Sequence, residues 1–332
     1  MKLENKICLS VLFLILAGSS ANAQSAANEV GDKNDHFLSF GFSLGLLSGT
    51  SEEIIFRSSS DNNYLSQLVW QFNPLFYAGV DARYNWLGPA NPEGILRKVF
   101  SGFFVNASFK YGLPGYTGLM EDRDWWTIPD WLTHYSLHAN YTETAMLAGL
   151  DIGKSFRLYN EFRLNAFFSY SVMYYSFTAR GGTYLYPLEW GEHFYDPSSD
   201  TVVTYLQFWQ ILSPGVSFYG VFNNYFDIEI FAKVSPLVTA SSLDEHLWRE
   251  PPFQIVNDPM YYGLYIEPGL AFTFKPPQSK FLFSFSLNYR NISGTRGNSR
   301  YRYQDRSGVY GNVGGAAYTV FDIGLAVKFR PL

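Results

Sequence analysis

Apolar and polar residues alternate with a period of two along much of the chain. From 281 to 289 the odd positions are Phe281, Phe283, Phe285, Leu287 and Tyr289, with Ser284, Ser286 and Asn288 between them. Residues 319–329 repeat the pattern: Phe321, Ile323, Leu325, Val327 and Phe329 alternate with Asp322, Gly324, Ala326 and Lys328. Residues 264–274 set Leu264, Ile266, Leu270, Phe272 and Phe274 against Tyr265, Glu267, Gly269 and Thr273. Successive side chains on a strand point to opposite faces, so each segment is predicted to be a strand with one greasy and one polar face.

A soluble sandwich also alternates, with its polar face in water. Here charges interrupt the polar face as regularly as Asp227, Glu229 and Lys233 interrupt Phe226, Ile228, Ile230 and Val234. That suits an outer-membrane barrel, in which lipid meets the greasy face, the inner face is polar and aromatic girdles mark both interfaces. Closing the sheet also pairs every backbone group where no water reaches. In 174–186, YYSFTARGGTYLY, the tyrosines read as a strand leaving lipid and Arg180-Gly181-Gly182 as its exit.

Short breaks at 87–93, 154–160, Asn223-Asn224 and 275–280 are predicted to be periplasmic turns, and longer polar stretches around 57–63, 112–133, 180–200, 241–260 and 291–316 to be outer loops. Four turns and five loops delimit ten strands. The segments run to roughly 15–24 residues where about 9–11 cross a bilayer. The expected fold is therefore all-β, a ten-stranded antiparallel transmembrane β-barrel that extends above the outer membrane, in one domain spanning 24–332.

Composition sharpens this picture. Aromatic residues make up 19% of the chain, yet the mean hydropathy is only −0.08, so apolar and polar positions must be finely interleaved. Residues 1–23 have a lysine-bearing start, an apolar run from Ile7 to Ala17 and the small-residue ending Ala21-Asn22-Ala23, which reads as a signal peptide. The run is too short for a helix across about 30 Å of hydrocarbon. Cys8, the one cysteine, lies within it, so the mature chain has no thiol for a disulfide, a thiolate metal site or a nucleophile. Removing Lys2, Lys6 and Glu4 takes 24 basic and 29 acidic residues to 22 and 28, and the formal charge from −5 to −6. That balance argues against a nucleic-acid partner, because phosphate binding needs a basic face.

Asp122 and Asp124 are two apart, so on a strand they share a face, as do Asp244 and His246 on another hairpin. Two carboxylates and an imidazole oriented by an aspartate can hold and deprotonate a water. An acidic loop residue is otherwise simply solvated. Even positions face outward in 226–234, and that parity carried forward turns Asp244 and His246 outward; a bulge near Ser235-Pro236 would bring them in. His134 and His138 lie about 13 Å apart on a strand, too far for a metal pair. Ser217 lacks a nucleophile elbow. Arg290, Arg296, Arg300, Arg302 and Arg306 make the last hairpin basic, open to anionic lipid or polymer, or simply solvated.

The blocks GLLSGTSEEIIF (45–56), LSQLVWQFN (65–73), EDRDW (121–125), YSFTARGGTYLY (175–186) and SSLDEH (241–246) resemble, in this order, the omptins, a family of ten-stranded outer-membrane endopeptidases. The resemblance implies catalysis by Asp122, Asp124, Asp244 and His246 on the family's four positions, with a water between Asp122 and His246 and no covalent intermediate, metal or cofactor. It places Glu53 and Ser242 in the pocket for a basic side chain, where the family has two acids. Asp130 then receives the following residue, and His134 matches a groove histidine. The implied partners are peptide or protein substrates at the cell surface and outer-membrane lipid. Tyr174 and Val172 occupy positions at which the family carries an arginine and a glutamate for lipopolysaccharide. An adhesion or passage barrel is the alternative, its acidic groove retained for binding only.

Overall fold

The computed structural model describes residues 37–86, 101–126, 131–159, 162–186, 192–248, 252–304 and 306–330. The leader at 1–23, the turn at 87–93 and Asp130 lie outside the described residues. The strands are β1 Phe37–Phe56, β2 Tyr64–Trp86, β3 Phe103–Gly112, β4 Gly115–Asp124, β5 His134–Tyr159, β6 Phe162–Tyr186 and β7 Glu192–Val221. They continue with β8 Phe226–Ser235, β9 Val238–His246, β10 Phe253–Tyr261, β11 Tyr265–Phe274, β12 Phe281–Ile292, β13 Arg296–Tyr303 and β14 Arg306–Phe329.

Among the described residues, ten of these form a closed antiparallel ring, β1-β2-β3-β5-β6-β7-β8-β11-β12-β14, with β14 pairing back to β1. The remaining four continue ring strands toward the outer end. Strand β4 follows β3 between β2 and β5, β9 follows β8 beside β7, β10 leads into β11, and β13 follows β12 beside β14. Ten walls, four of them broken once, are thus the ten strands that the turns and loops delimit.

The outer extensions are more regular than their polarity suggests. Strand β4 lies within the stretch 112–133, β9 and β10 extend into 241–260, β13 and the start of β14 fill most of 291–316, and β6 and β7 reach Tyr186 and Glu192 within 180–200. At the other end β5 runs on to Tyr159, so the turn near 154–160 is shorter than expected. Above the bilayer both faces of a strand can meet water while the ladder bonds persist, so polar sequence there does not mean loop. Arg180-Gly181-Gly182 is likewise no strand exit but a register break within β6.

Membrane-facing positions carry exposed apolar side chains, among them Phe40, Phe42 and Leu44 on β1, Phe168 on β6, Val216 on β7, Ile230 on β8 and Phe283 on β12. Inside, two layers of side chains cross the lumen. An aromatic layer joins β2, β6, β7 and β14: the Trp70 and Tyr205 rings stack at 5.4 Å, Phe72 and Tyr175 are 5.1 Å apart, and the hydroxyls of Tyr175 and Tyr318 share a hydrogen bond of 2.7 Å. Toward the periplasmic end, Lys110 donates to Asp322 at 2.6 Å. Arg290 reaches Glu267 at 2.8 Å and Asp322 at 3.0 Å, and Lys233 lies 3.4 Å from both Glu267 and Asp151. Pairing is what makes such burial of charge tolerable.

The bulge expected near Ser235-Pro236 is present. Lys233 pairs with Gly215, and His246 with Val203, so β7 advances 12 residues while its partner advances 13. Pro236 has no N–H to donate, and Ser235 closes the step, its hydroxyl oxygen accepting from Leu237 N at 2.8 Å. The extra residue reverses parity: Asp227 and Ser235 point inward on β8, but Ser242, Asp244 and His246 do so on β9.

Candidate active site

Above the aromatic layer, side chains from two walls line a groove. On one wall the ladder sets Glu53 beside Leu68, Leu68 beside Asp122, and Asp122 beside Ser136, a single row across β1, β2, β4 and β5. Asp124 lies one inward position further out, opposite His134. Asp124 is buried, while Asp122 and His134 are partly so. His134 Nδ1 is 3.1 Å from the Thr133 hydroxyl, and its ring centre lies 4.7 Å from that of Trp126.

The other wall is built on β7, β9 and β10. Ser242 lies between Gln207 and Asn257, Asp244 between Tyr205 and Ile255, and His246 between Val203 and Phe253. Asp244 is fully buried, with Oδ2 2.7 Å from His246 Nε2.

Glu53 records how these walls stand to one another. Burial pushes its carboxyl well above the ordinary value of 4.5, and the charges of Asp244, from the far wall, and Asp122, from the near one, push in the same direction. Asp122 and Asp244, remote in sequence, therefore act on a single buried carboxyl. Asn257 Nδ2 donates to Glu53 Oε1 and lies 3.3 Å from Ser242 Oγ. Glu53 Oε2, Asp244 Oδ1 and Asn257 Oδ1 are buried without a hydrogen-bond partner. Free acceptors beside carboxylates suit a cationic or donor-rich side chain.

Asn257 is the pocket residue that sequence reasoning missed. It lies in a stretch read as loop, and the only signal for it is its inward parity once β10 is recognised. Among the described residues, no three or more His, Cys, Asp or Glu side chains gather as a metal site. On the outer wall, Tyr174 and Val172 alternate with the inward Met173 and Tyr175, so β6 presents no charge at those two positions. Arg180 pairs with Glu143 at 3.2 Å and lies 4.5 Å from the Tyr141 ring centre.

The raised Glu53 carboxyl has a consequence for stability. It retains its proton in the folded state through a range where the unfolded chain has lost its own, so stability falls as pH rises above about 4.5 toward the folded value. Glu53→Gln is therefore expected to raise Tm in detergent at pH 8 and to leave it unchanged at pH 4. A variant less stable than the parent at pH 8 contradicts this.

The omptin family model matches residues 34–330. Protease 7 of Escherichia coli O157:H7 is 27% identical over 321 residues, covering 92% of this chain and 93% of its own length. Outer membrane protease IcsP of Shigella flexneri is 26% identical over 306 residues, with 84% and 85% covered. Among solved structures, the crystal structure of the outer membrane protease OmpT from Escherichia coli is similar with a TM-score of 0.79 at 20% identity, over 90% of this chain and 99% of that one, a likeness of fold. The family match spans nearly all of the described barrel, both groove walls included, and on that ground the chain belongs to the omptin family.

Proposed function

We propose that this outer-membrane barrel is an endopeptidase that cleaves peptides and proteins beside basic residues at the cell surface. The observation that supports the proposal is that Asp122 shares a ladder row with Glu53, while Asp244, 2.7 Å from His246, lies on the wall whose Asn257 donates to Glu53. A water held between Asp122 and His246 gives a proton to the ring nitrogen turned away from Asp244, and the resulting hydroxide adds to the scissile carbonyl carbon. Asp124 supports Asp122, and Asp244 orients the ring and stabilises its charged form. The tetrahedral intermediate then collapses: the C–N bond breaks and the imidazolium returns its proton to the leaving amine. Protons balance and no enzyme side chain is acylated. Glu53, Asn257 and Ser242 receive the basic side chain, with His134 at the groove edge; for the following residue the family resemblance alone points to Asp130.

The adhesion or passage alternative is less well supported. The aromatic layer and the ion network cross the lumen beneath the groove, and a groove used for binding alone has no need of a histidine held 2.7 Å from a buried aspartate. The test is cleavage of a fluorogenic peptide with paired basic residues by refolded protein. A correctly folded barrel that leaves such peptides intact overturns the proposal.

We further propose that residues 1–23 are removed on export and that the barrel works without a lipopolysaccharide activator. Phosphate recognition needs cations, and Tyr174 and Val172 supply none. Adding lipopolysaccharide to active refolded protein is expected to change kcat/KM less than about threefold, below the worth of one charge-assisted hydrogen bond. Stimulation of a hundredfold or more contradicts this.

A further inference from the structure

We propose that the pocket holding Glu53 selects lysine over arginine, with Asn257 as the residue that decides between them. The inference deepens the endopeptidase reading and rests on it, because that reading assigns the pocket to a basic side chain.

Asn257 is held by its own hydrogen bonds. Its ladder neighbours are Ser242 on β9 and Ser299 on β13, and its side chain is fully buried in the lumen. Nδ2 donates to Glu53 Oε1 and to Ser242 Oγ, the latter at 3.3 Å, which accounts for its two hydrogens. The plane of the carboxamide is thereby fixed, and Oδ1 with it. Oδ1 shares its carbon with Nδ2, and Glu53 Oε2 shares its carbon with Oε1, so these two atoms flank the Asn257–Glu53 hydrogen bond. Among the described residues, neither finds a donor, and both are buried.

The carboxamide has room because β14 carries a glycine beside it. A Cβ on Gly314 would come within 2.5 Å of Asn257 Oδ1 and 2.8 Å of its Cγ. Gly314 is the ladder partner of Ile55, two residues beyond Glu53, so adjoining strands place both halves of the pocket floor.

The shapes of the two cations then differ in fit. A guanidinium is held best fork to fork, by both oxygens of one carboxylate. At Glu53 it would have to share Oε1 with the Asn257 amide, and Ser242 offers no second carboxylate. An ammonium is a compact charge with three donors about one nitrogen, and it is satisfied by single acceptors from different residues. Glu53 Oε2 and Asn257 Oδ1 are two such acceptors. The narrow head also suits a floor in which Glu53 and Asn257 are 0% exposed and Ser242 5%.

The test compares kcat/KM for three fluorogenic peptides that differ only in the residue before the scissile bond, lysine, arginine or norleucine. Heat-modifiable gel mobility checks folding. Lysine is expected to exceed arginine about tenfold, the worth of one hydrogen bond, with norleucine poorest. Asn257→Leu removes an acceptor for the ammonium and frees Glu53 Oε1 for a fork, so the lysine advantage should vanish or reverse. Asn257→Asp, which supplies a second carboxylate, should favour arginine. Gly314→Ala, whose methyl meets the Asn257 carboxamide, should shrink the lysine advantage while every polar group of the floor is retained. Should the variants fail to fold, the wild-type ratio decides alone. Arginine cleaved as fast as lysine by the wild type, or an undiminished lysine advantage in folded Asn257→Leu, overturns the proposal. Norleucine separates it from the reading beneath. If the wild type cleaves the norleucine peptide as well as both basic ones, the basic pocket itself is wrong; if both basic peptides surpass norleucine while arginine matches lysine, only the choice of lysine fails.

Discussion

Alanine in place of His246 is expected to lower kcat by roughly 10²- to 10⁴-fold, the range over which a positioned general base contributes. The cut removes the group that takes the proton from the water, and it also leaves the fully buried Asp244 without its partner at 2.7 Å. An unpaired buried carboxylate can itself disturb the site. His246→Asn, whose amide can still donate to Asp244, separates lost chemistry from lost packing and is expected to be as slow as the alanine variant. Asp122→Ala should fall in the same range, because the water loses its second anchor. Activity should also drop as pH falls and His246 becomes charged, since the imidazolium cannot accept a proton. Near-normal cleavage by both alanine variants, or a rate that stays flat from pH 8 to pH 5, sinks the mechanism.

Glu53→Gln is expected to cost roughly ten- to a hundredfold in preference for a basic side chain over a neutral one, the worth of one charge-assisted hydrogen bond. Glu53 is the one carboxylate among the three residues assigned to the pocket floor. Ser242 carries no charge, and Asn257 offers a carboxamide whose Oδ1 is unpartnered. A cation entering this pocket also offsets the burial and the neighbouring charges of Asp244 and Asp122 that hold the Glu53 carboxyl above its ordinary range, so the preference for basic residues should weaken as pH falls and Glu53 keeps its proton. Ser242→Asp adds a second carboxylate on the site of the serine oxygen, which now lies 3.3 Å from Asn257 Nδ2. It should sharpen selection for arginine, whose forked guanidinium spans two carboxylates better than an ammonium does. Cleavage-site profiling on a peptide library reads all three effects. An unchanged profile in Glu53→Gln means that the pocket lies elsewhere.

The two cases differ in how far they could be foreseen. That Phe281, Phe283 and Phe285 face lipid while Ser284 and Ser286 face inward follows from the sequence alone, because the side-chain period of a strand is local and needs no knowledge of its neighbours. Barrel closure follows from the same alternation together with the requirement that every backbone group in hydrocarbon find a partner. The order of the blocks carrying Glu53, Asp122-Asp124 and Asp244-His246 was equally legible, and so was the need for a bulge at Pro236, since parity carried forward from β8 gave the wrong face.

The extent of β4, β9, β10 and β13 was not legible, because above the bilayer a strand is held by ladder bonds to chain segments remote in sequence, and inward positions such as Ser242, Asp244 and His246 are polar, so their alternate burial leaves no apolar period. Asn257 beside Glu53, the His138 ring against Gly181, and the joint action of Asp122 and Asp244 on one carboxyl belong to the tertiary structure alone. Each depends on which residues the closed ring brings level across a ladder or across the lumen. Those levels are set by the summed registers and bulges of ten walls, and no single stretch of sequence contains that sum.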